Sequence, residues 1–114
     1  MSSYTTNMGI TKADLFTQEQ NELAQIAKVF AHPARVAILE YLLKANQCIN
    51  SGLVEELGLA QATISQHLKE LKAIGLILGT IEGNSMSYCI NPEKWEEVRQ
   101  QFSGFMGRYD PTCC

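Results

Sequence analysis

Four cysteines are the side chains of this 114-residue chain best suited to metal or redox chemistry. Cys113 and Cys114 are adjacent in the sequence, so both thiolates can reach one ion. Soft sulfur ligands without histidine or carboxylate suit a thiophilic ion better than zinc or nickel, and adjacent exposed thiols also invite oxidation. Cys48 is a candidate third ligand. The alternative for Cys48, and more strongly for Cys89, is a small buried apolar side chain.

A second candidate surface is the polar side of segment 61–74, which we predict to be a helix. Its inner face is defined by Ile64, Leu68 and Leu71, which recur at helical spacing. The side chains that point the other way are those of Ala62, Ser65, Gln66 and Lys69. Glutamine and serine can hydrogen-bond the edges of bases, and lysine suits phosphates. Taken alone, such a polar face is more often solvated and without a partner. His67 lies beside the apolar stripe, and its position allows either a buried histidine or an exposed one.

Start and stop signals predict three further helices before this segment. A capping box at Thr17 begins the first, and Pro33 stands in the first turn of the second. Ser51 is predicted to cap a short third helix that ends at Gly58. The side chains predicted to be buried on the second helix are Val36, Leu39, Leu42 and Leu43.

A hairpin and a final helix follow segment 61–74. Strands are predicted at 76–81 and 86–90, joined by the turn Glu82–Ser85, and Asn91–Pro92 begins the last helix. The apolar stripe of that helix consists of Trp95, Val98, Phe102 and Phe105. In a domain this small, the stripe indicates dimerisation. Alternatively, Trp95 packs against Leu23 and Phe30 of the same chain.

The order of these elements predicts a mainly α fold with a small β-hairpin, a winged helix-turn-helix. In this arrangement the second helix of the pair lies in the major groove, and the hairpin reaches a neighbouring groove. We expect a flexible segment at 1–16, a DNA-binding and dimerisation domain at 17–106, and a cysteine-containing tail at 107–114.

Composition limits the function classes further. A formal net charge of −3 argues against an indiscriminate polyanion binder, but it allows a local basic face. No apolar run approaches the length of a membrane helix and no secretory signal is seen, so we expect a cytoplasmic protein with reduced thiols and no membrane partner. A Gly-rich phosphate loop, a Ser/His/Asp arrangement and paired catalytic carboxylates are not found, and an enzyme is not predicted.

Four segments together resemble a known family. Phe30–Leu39 is similar to the opening motif L-A-[DH]-P-x-R-x-x-I-L of the ArsR/SmtB repressors, and Leu59–Leu71 is similar to their recognition segment L-S-Q-x-x-V-S-x-H-L-x-x-L. Ala73–Ile77 resembles x-A-G-L-V, and Ser87–Ile90 resembles the end of the family's wing. The resemblance runs in order over most of the chain.

The resemblance implies a homodimeric winged-helix repressor that binds double-stranded, palindromic operator DNA and is released by a ligand. The residues expected to contact DNA are Gln61, Thr63, Ser65, Gln66, Lys69, Lys72, Asn84 and Ser85. Two departures are visible. Ala60 replaces the family's usual serine, which removes a helix cap worth about 1 kcal/mol, and the wing tip lacks the arginines that many members place there.

Two ligand sites known in the family are not matched. The stretch 49–53 has no cysteine where one metal-sensing subgroup carries C-V-C-D-L, and the last helix has no histidine for a zinc site. We therefore expect As(III) or Sb(III) as the inducer, bound by Cys113, Cys114 and Cys48, with Cys48 contributed by either subunit. No organic cofactor is expected.

Three other interpretations stay open at this point. The same fold can carry a thiol redox or persulfide sensor, in which a disulfide repositions the same elements. A small thiol-exchange enzyme or metal carrier is an alternative from a different class, although the recognition-helix pattern argues against it. Finally, the chain can be a winged-helix protein without an inducer.

Overall fold

The computed structural model describes residues 12–49, 52–82 and 85–112. In chain order the elements are a short 3-10 helix (Lys12–Leu15), α1 (Gln18–Val29), α2 (Pro33–Ala45), α3 (Leu53–Leu57), α4 (Gln61–Ala73), β1 (Ile77–Glu82), β2 (Ser85–Ile90) and α5 (Pro92–Met106). The predicted mainly α fold with one antiparallel hairpin is confirmed. Among the described residues, the helices are too short or too polar to cross a membrane.

Side chains cap two of the helices. Thr17 Oγ1 accepts from the backbone N–H of Gln20 at 3.0 Å, and Gln20 Oε1 accepts from the N–H of Thr17 at 2.9 Å, which confirms the capping box. At the start of α5, Asn91 Oδ1 accepts from two backbone N–H groups, and Asn91 Nδ2 donates to the Gly75 carbonyl at 2.9 Å. Asn91 therefore ties the first turn of α5 to the end of α4.

The start of α3 differs from the prediction. Ser51 lies outside the described residues, and the N-cap of α3 is Gly52, with a φ of 102°. A Cβ at this position would lie 2.6 Å from Tyr41 Oη. Glycine is therefore required here both by the backbone angle and by the tyrosine of α2.

One apolar core joins all five helices and the hairpin. Its buried members are Ile26, Val29, Ile38, Leu39, Leu42, Leu53, Ile64, Leu68, Leu71, Leu76, Ile77, Tyr88 and Val98. On α2 the predicted stripe is wrong at two positions, because Val36 is 38% exposed and Leu43 is 47% exposed, whereas Ile38 is buried. Since α2 is apolar around most of its circumference, periodicity alone does not select the face that packs against α4 and β2.

The hairpin is joined to the helical body beyond its own ladder. Ile49, which follows α2, pairs with Tyr88 of β2, and the two residues exchange backbone N–H···O bonds of 2.8 and 2.9 Å. Tyr88 is 2% exposed, and opposite it on β1 stands Gly79 with a φ of 127°. The base of the hairpin is thus held between β1 and the segment that leads out of α2.

The last helix packs against the first. Phe102 of α5 meets Phe30 in an edge-to-face contact, with ring centroids 6.1 Å apart. Trp95 is partly buried against the core of the same chain, which supports intrachain packing for that residue. Phe105, the last member of the predicted stripe, is 50% exposed. The stripe therefore divides into a covered part and an uncovered end.

Candidate nucleic-acid interface

The turn between α3 and α4 is short and closed by glycine. Gly58 ends α3 with a φ of 71°, and its N–H donates to the Val54 carbonyl at 2.8 Å. Two residues later α4 begins at an N-cap, Ala60, that has no side-chain cap bond. Leu53 of α3 and Ile64 of α4 both enter the core, which fixes the angle between the two helices.

The two faces of α4 differ sharply in exposure. Ile64, Leu68 and Leu71 are almost fully buried, as predicted. The exposed residues of the helix are Gln61, Ala62, Thr63, Gln66, Lys69, Lys72 and Ala73. Ser65 is half-buried at the edge of this outer face. The structure therefore brings the predicted contact residues of α4 together on one solvent-facing side.

Two side-chain hydrogen bonds run along the outer face. Gln61 Nε2 donates to Ser65 Oγ at 3.1 Å, and Gln66 Nε2 donates to Glu70 Oε2 at 3.1 Å. A glutamine that reads adenine uses both its amide nitrogen and its amide oxygen, so Gln66 must share or exchange its bond to Glu70. Sequence reasoning missed Glu70, although its i, i+4 spacing from Gln66 was a usable signal.

The lysines of α4 are not neutralised by ion pairs within the described part of the chain. Both ion pairs found there lie on α5, between Lys94 and Glu97 and between Arg99 and Glu96. Lys69 and Lys72 are exposed and extend from the outer face. Their ammonium groups can meet phosphates without first breaking a salt bridge.

His67 is a bridge between α2 and α4. It is half-buried, and its Nδ1 accepts a hydrogen bond from Arg35 Nε at 3.1 Å. Its ring centroid lies 5.7 Å from that of His32. Burial, followed by the positive charge of Arg35 and by His32, lowers the pKa of His67 below 6.5. At neutral pH His67 is therefore an uncharged acceptor, and Arg35 is a positioning residue that sequence reasoning did not identify.

The predicted wing contacts are described only in part. Asn84 lies outside the described residues, and Ser85 is placed by its backbone at the start of β2, paired with Glu82. Among the residues that the structure describes, no three histidine, cysteine or acidic side chains converge as a metal site.

Cys48 and Cys89 are the two cysteines that the structure describes. Cys113 and Cys114 lie outside the described residues, so their meeting with Cys48 is not seen. Cys48 is exposed, contrary to the buried alternative, and Cys89 is half-buried. Interaction with the neighbouring Cys48 side chain, together with burial, raises the pKa of Cys89. No local sequence signal pointed to this pair, because its members are brought together by the long-range pairing of Ile49 with Tyr88.

The similarity to known proteins includes the segment that carries α4. The family model described as "Bacterial regulatory protein, arsR family" matches residues 32–77, from α2 to the first residue of β1. The HTH-type transcriptional regulator MJ1325 of Methanocaldococcus jannaschii is 31% identical over 81 residues, which cover 71% of this chain and 91% of that protein. The chain belongs to the ArsR family.

Other similar proteins agree with this assignment. The ArsR-family chain is 36% identical over 67 residues to the HTH-type transcriptional regulator Rv0081 of Mycobacterium tuberculosis, covering 59% of each. The crystal structure of Rv0081 superposes with a TM-score of 0.57 at 27% identity, covering 82% of this chain and 97% of that chain. The HTH-type transcriptional repressor SmtB of the same species is 36% identical over 64 residues, 56% of this chain and 47% of SmtB.

The ArsR-family chain thus spans about half to three fifths of the length of these two curated mycobacterial relatives. All three relatives bear names of transcriptional regulators, and the family is one of regulatory proteins. The predictions of an ArsR/SmtB-type regulator and of a protein that is not an enzyme are confirmed.

Proposed function

We propose that this ArsR-family regulator is a homodimeric repressor that reads a palindromic operator with α4 of each subunit. As(III) or Sb(III), bound by cysteine thiolates, releases it. The observation that carries the proposal is the two-sided character of α4, whose inner face is buried in the core while its polar face is open to solvent. A similar protein, SmtB of M. tuberculosis, is named a transcriptional repressor.

The side chains of α4 suit two kinds of DNA contact. Gln61, Thr63, Ser65 and Gln66 lie in the first half of the helix and carry the amide and hydroxyl groups that can hydrogen-bond base edges. Lys69 and Lys72 lie in the second half and suit the phosphate backbone. The wing residues Asn84 and Ser85 add polar contacts in a neighbouring groove.

Replacing Gln66 tests the base-reading part of the proposal. A duplex selected from random sequence by the purified protein serves as the operator. We expect Gln66→Ala to reduce the ratio of operator affinity to unrelated-DNA affinity at least about fivefold, the effect of losing one good base contact. Gln25→Ala on α1, also exposed, is the matched control and should leave the ratio unchanged. An unaltered ratio for Gln66→Ala removes this residue from the base-reading face.

Exposed apolar side chains before α1 and at the end of α5 support dimerisation. Thr17, at the start of α1, and Phe105, near the end of α5, line one groove. Large apolar side chains exposed next to it in sequence are Leu15, Phe16, Met106 and Tyr109. Large exposed apolar side chains are enriched at protein–protein interfaces.

Sedimentation of the purified protein tests the dimer. We expect a dimer at micromolar concentration, and we expect Phe105→Glu to shift it to a monomer while circular dichroism stays unchanged, because Phe105 is half-exposed in the single chain. A wild-type protein that sediments as a monomer at every workable concentration contradicts the proposal.

The inducer part of the proposal depends on accessible thiols. The proposed ligands are Cys48, which is exposed, and Cys113 and Cys114, which are adjacent in the sequence. Three thiolates suit a thiophilic ion. Such an ion weakens operator binding to the extent that it prefers the arrangement that does not fit DNA. We propose that the repressor acts in the cytoplasm, the compartment in which thiols stay reduced.

Arsenite titration of the reduced protein on labelled operator tests the inducer. We expect release by arsenite and loss of the response in Cys113→Ser and in Cys114→Ser. An unchanged response in both variants removes the tail from the mechanism. Release by peroxide or polysulfide but not by arsenite favours a redox or persulfide sensor, and no release by any of them favours a repressor without an inducer.

A further inference from the structure

The antiparallel pairing of Ile49 with Tyr88 determines which residues on either side stand opposite each other. Ile49 and Tyr88 exchange both backbone hydrogen bonds, so they form a hydrogen-bonded antiparallel pair. The next pair in this register is Cys48 with Cys89, and it is of the non-hydrogen-bonded type. In such a pair the Cα atoms are about 4.5 Å apart and the side chains share one face of the sheet. Two cysteines therefore lie directly opposite each other.

The face that carries the two thiols points away from the core. Tyr88 is buried and Ile49 is packed against the core, so their neighbours Cys48 and Cys89 project to the other side. Cys48 is exposed and Cys89 is half-buried, in agreement with this alternation. Leu78, the partner of Cys89 on β1, is likewise exposed. Reagents in solution thus reach Cys48 first, with Cys89 behind it.

We propose that Cys48 and Cys89 form a reversible intramolecular disulfide when the protein meets a low-molecular-weight disulfide. The expected Cα separation lies within the range that disulfides span, at its short end. The register places both side chains on the same face of the pairing, so the two sulfur atoms can approach each other. The bond links the segment between α2 and α3 to β2, at the root of the wing.

The reaction proceeds by two thiol–disulfide exchanges. The thiolate of the exposed Cys48 attacks one sulfur of the small disulfide, which forms a mixed disulfide and expels one small thiolate. Cys89 then loses its proton and attacks Cys48 Sγ, which expels the second small thiolate. In sum two protein thiols are oxidised by two electrons, one small disulfide is reduced, and two protons end on the two small thiols.

This disulfide goes beyond the proposed regulation by a thiophilic ion, and it competes with that regulation because Cys48 is needed for both. Its test therefore uses a mass readout that does not depend on operator binding or arsenite. The full-length protein with Cys113→Ser and Cys114→Ser is reduced, desalted and incubated with oxidised glutathione. We expect an intact mass lower by two hydrogen atoms, and a tryptic product that links peptides 45–69 and 73–94, each of which contains one cysteine.

Two further variants in the same background make the result decisive. Cys89→Ser should stop at the mixed disulfide, with one glutathione on Cys48. Moving the thiol by Ser87→Cys together with Cys89→Ser keeps it on the outer face but places it diagonally, about 7–8 Å from Cys48, beyond ordinary disulfide reach. This variant should also stop at the mixed disulfide. The proposal is overturned if the Cys48–Cys89 protein yields no linked peptide, or if the displaced thiol closes equally well.

Discussion

Replacing a single lysine on the outer face of α4 should change the salt dependence of DNA binding by a calculable amount. Lys69 is exposed and has no ion pair among the described residues, so Lys69→Ala removes a charge without disturbing the core. Each lost phosphate contact reduces the slope of log affinity against log salt by about 0.9. Since a homodimer carries the substitution twice, we expect the slope to become less steep by about 1.8.

This change in slope converts to a measurable ratio. Between 50 and 200 mM salt, the binding deficit of Lys69→Ala relative to wild type should shrink by a factor of about 12. Fluorescence anisotropy with a labelled duplex at several salt concentrations measures both slopes. The deficit should be similar on operator and unrelated DNA, because a phosphate contact carries no sequence information.

Lys28→Ala on α1 is the matched control, because Lys28 is also exposed but belongs to a different helix. Its slope should equal that of wild type. The reasoning is refuted if Lys69→Ala leaves the slope unaltered, if Lys28→Ala changes it equally, or if the loss for Lys69→Ala is confined to the operator.

Three further predictions concern stability, measured by chemical or thermal unfolding. Gly79→Ala should lower the free energy of unfolding by about 2 kcal/mol or more, because the new Cβ would lie 1.8 Å from the Ser87 carbonyl oxygen. Gly104→Ala on α5, where the new Cβ would have no atom within 4 Å, should raise it by roughly 0.5–1 kcal/mol. Asn91→Ala should lower the free energy of unfolding by about 1–3 kcal/mol, because it removes the cap of α5 and the hydrogen bond to the Gly75 carbonyl. A loss as small as that of an ordinary surface substitution would contradict the role assigned to Asn91. The pKa of His67 in the folded protein lies below 6.5, so below this pH the unfolded chain binds more protons than the folded one, and the free energy of unfolding decreases as the pH falls. His67→Gln should flatten this part of the profile of stability against pH. An identical profile would contradict the assigned protonation state.

Local signals were sufficient for most of the fold. The capping box at Thr17, the proline at the start of α2, the glycine after α3 and the asparagine before α5 each act within a few residues, and each is found as predicted. On α4, apolar residues recur at helical spacing on one face and polar residues cover the opposite face, so periodicity identifies the buried side. These features are set by backbone chemistry that the neighbouring residues alone determine.

Features that depend on distant partners could not be predicted in the same way. Nothing in the α2 sequence favours Ile38 over Val36 as the buried residue, because the choice is made by α4 and β2 packing on one side. The sequence around Cys89 indicates a structural residue, because its partner Cys48 is 41 positions away and is brought near only by the pairing of Ile49 with Tyr88. Arg35 belongs to the opening motif, but its hydrogen bond to His67 depends on the contact between α2 and α4, which the motif does not specify.

The backbone pairing of Ile49 with Tyr88 limits how other chains can add to the wing. An unpaired strand edge offers free N–H and C=O groups to any extended peptide that approaches it. At Tyr88 both groups are already bonded to Ile49, so this part of the β2 edge is closed to strand addition from another molecule. Any intermolecular β-sheet built on the wing must therefore start from the outer edge of β1, or from β2 nearer its tip.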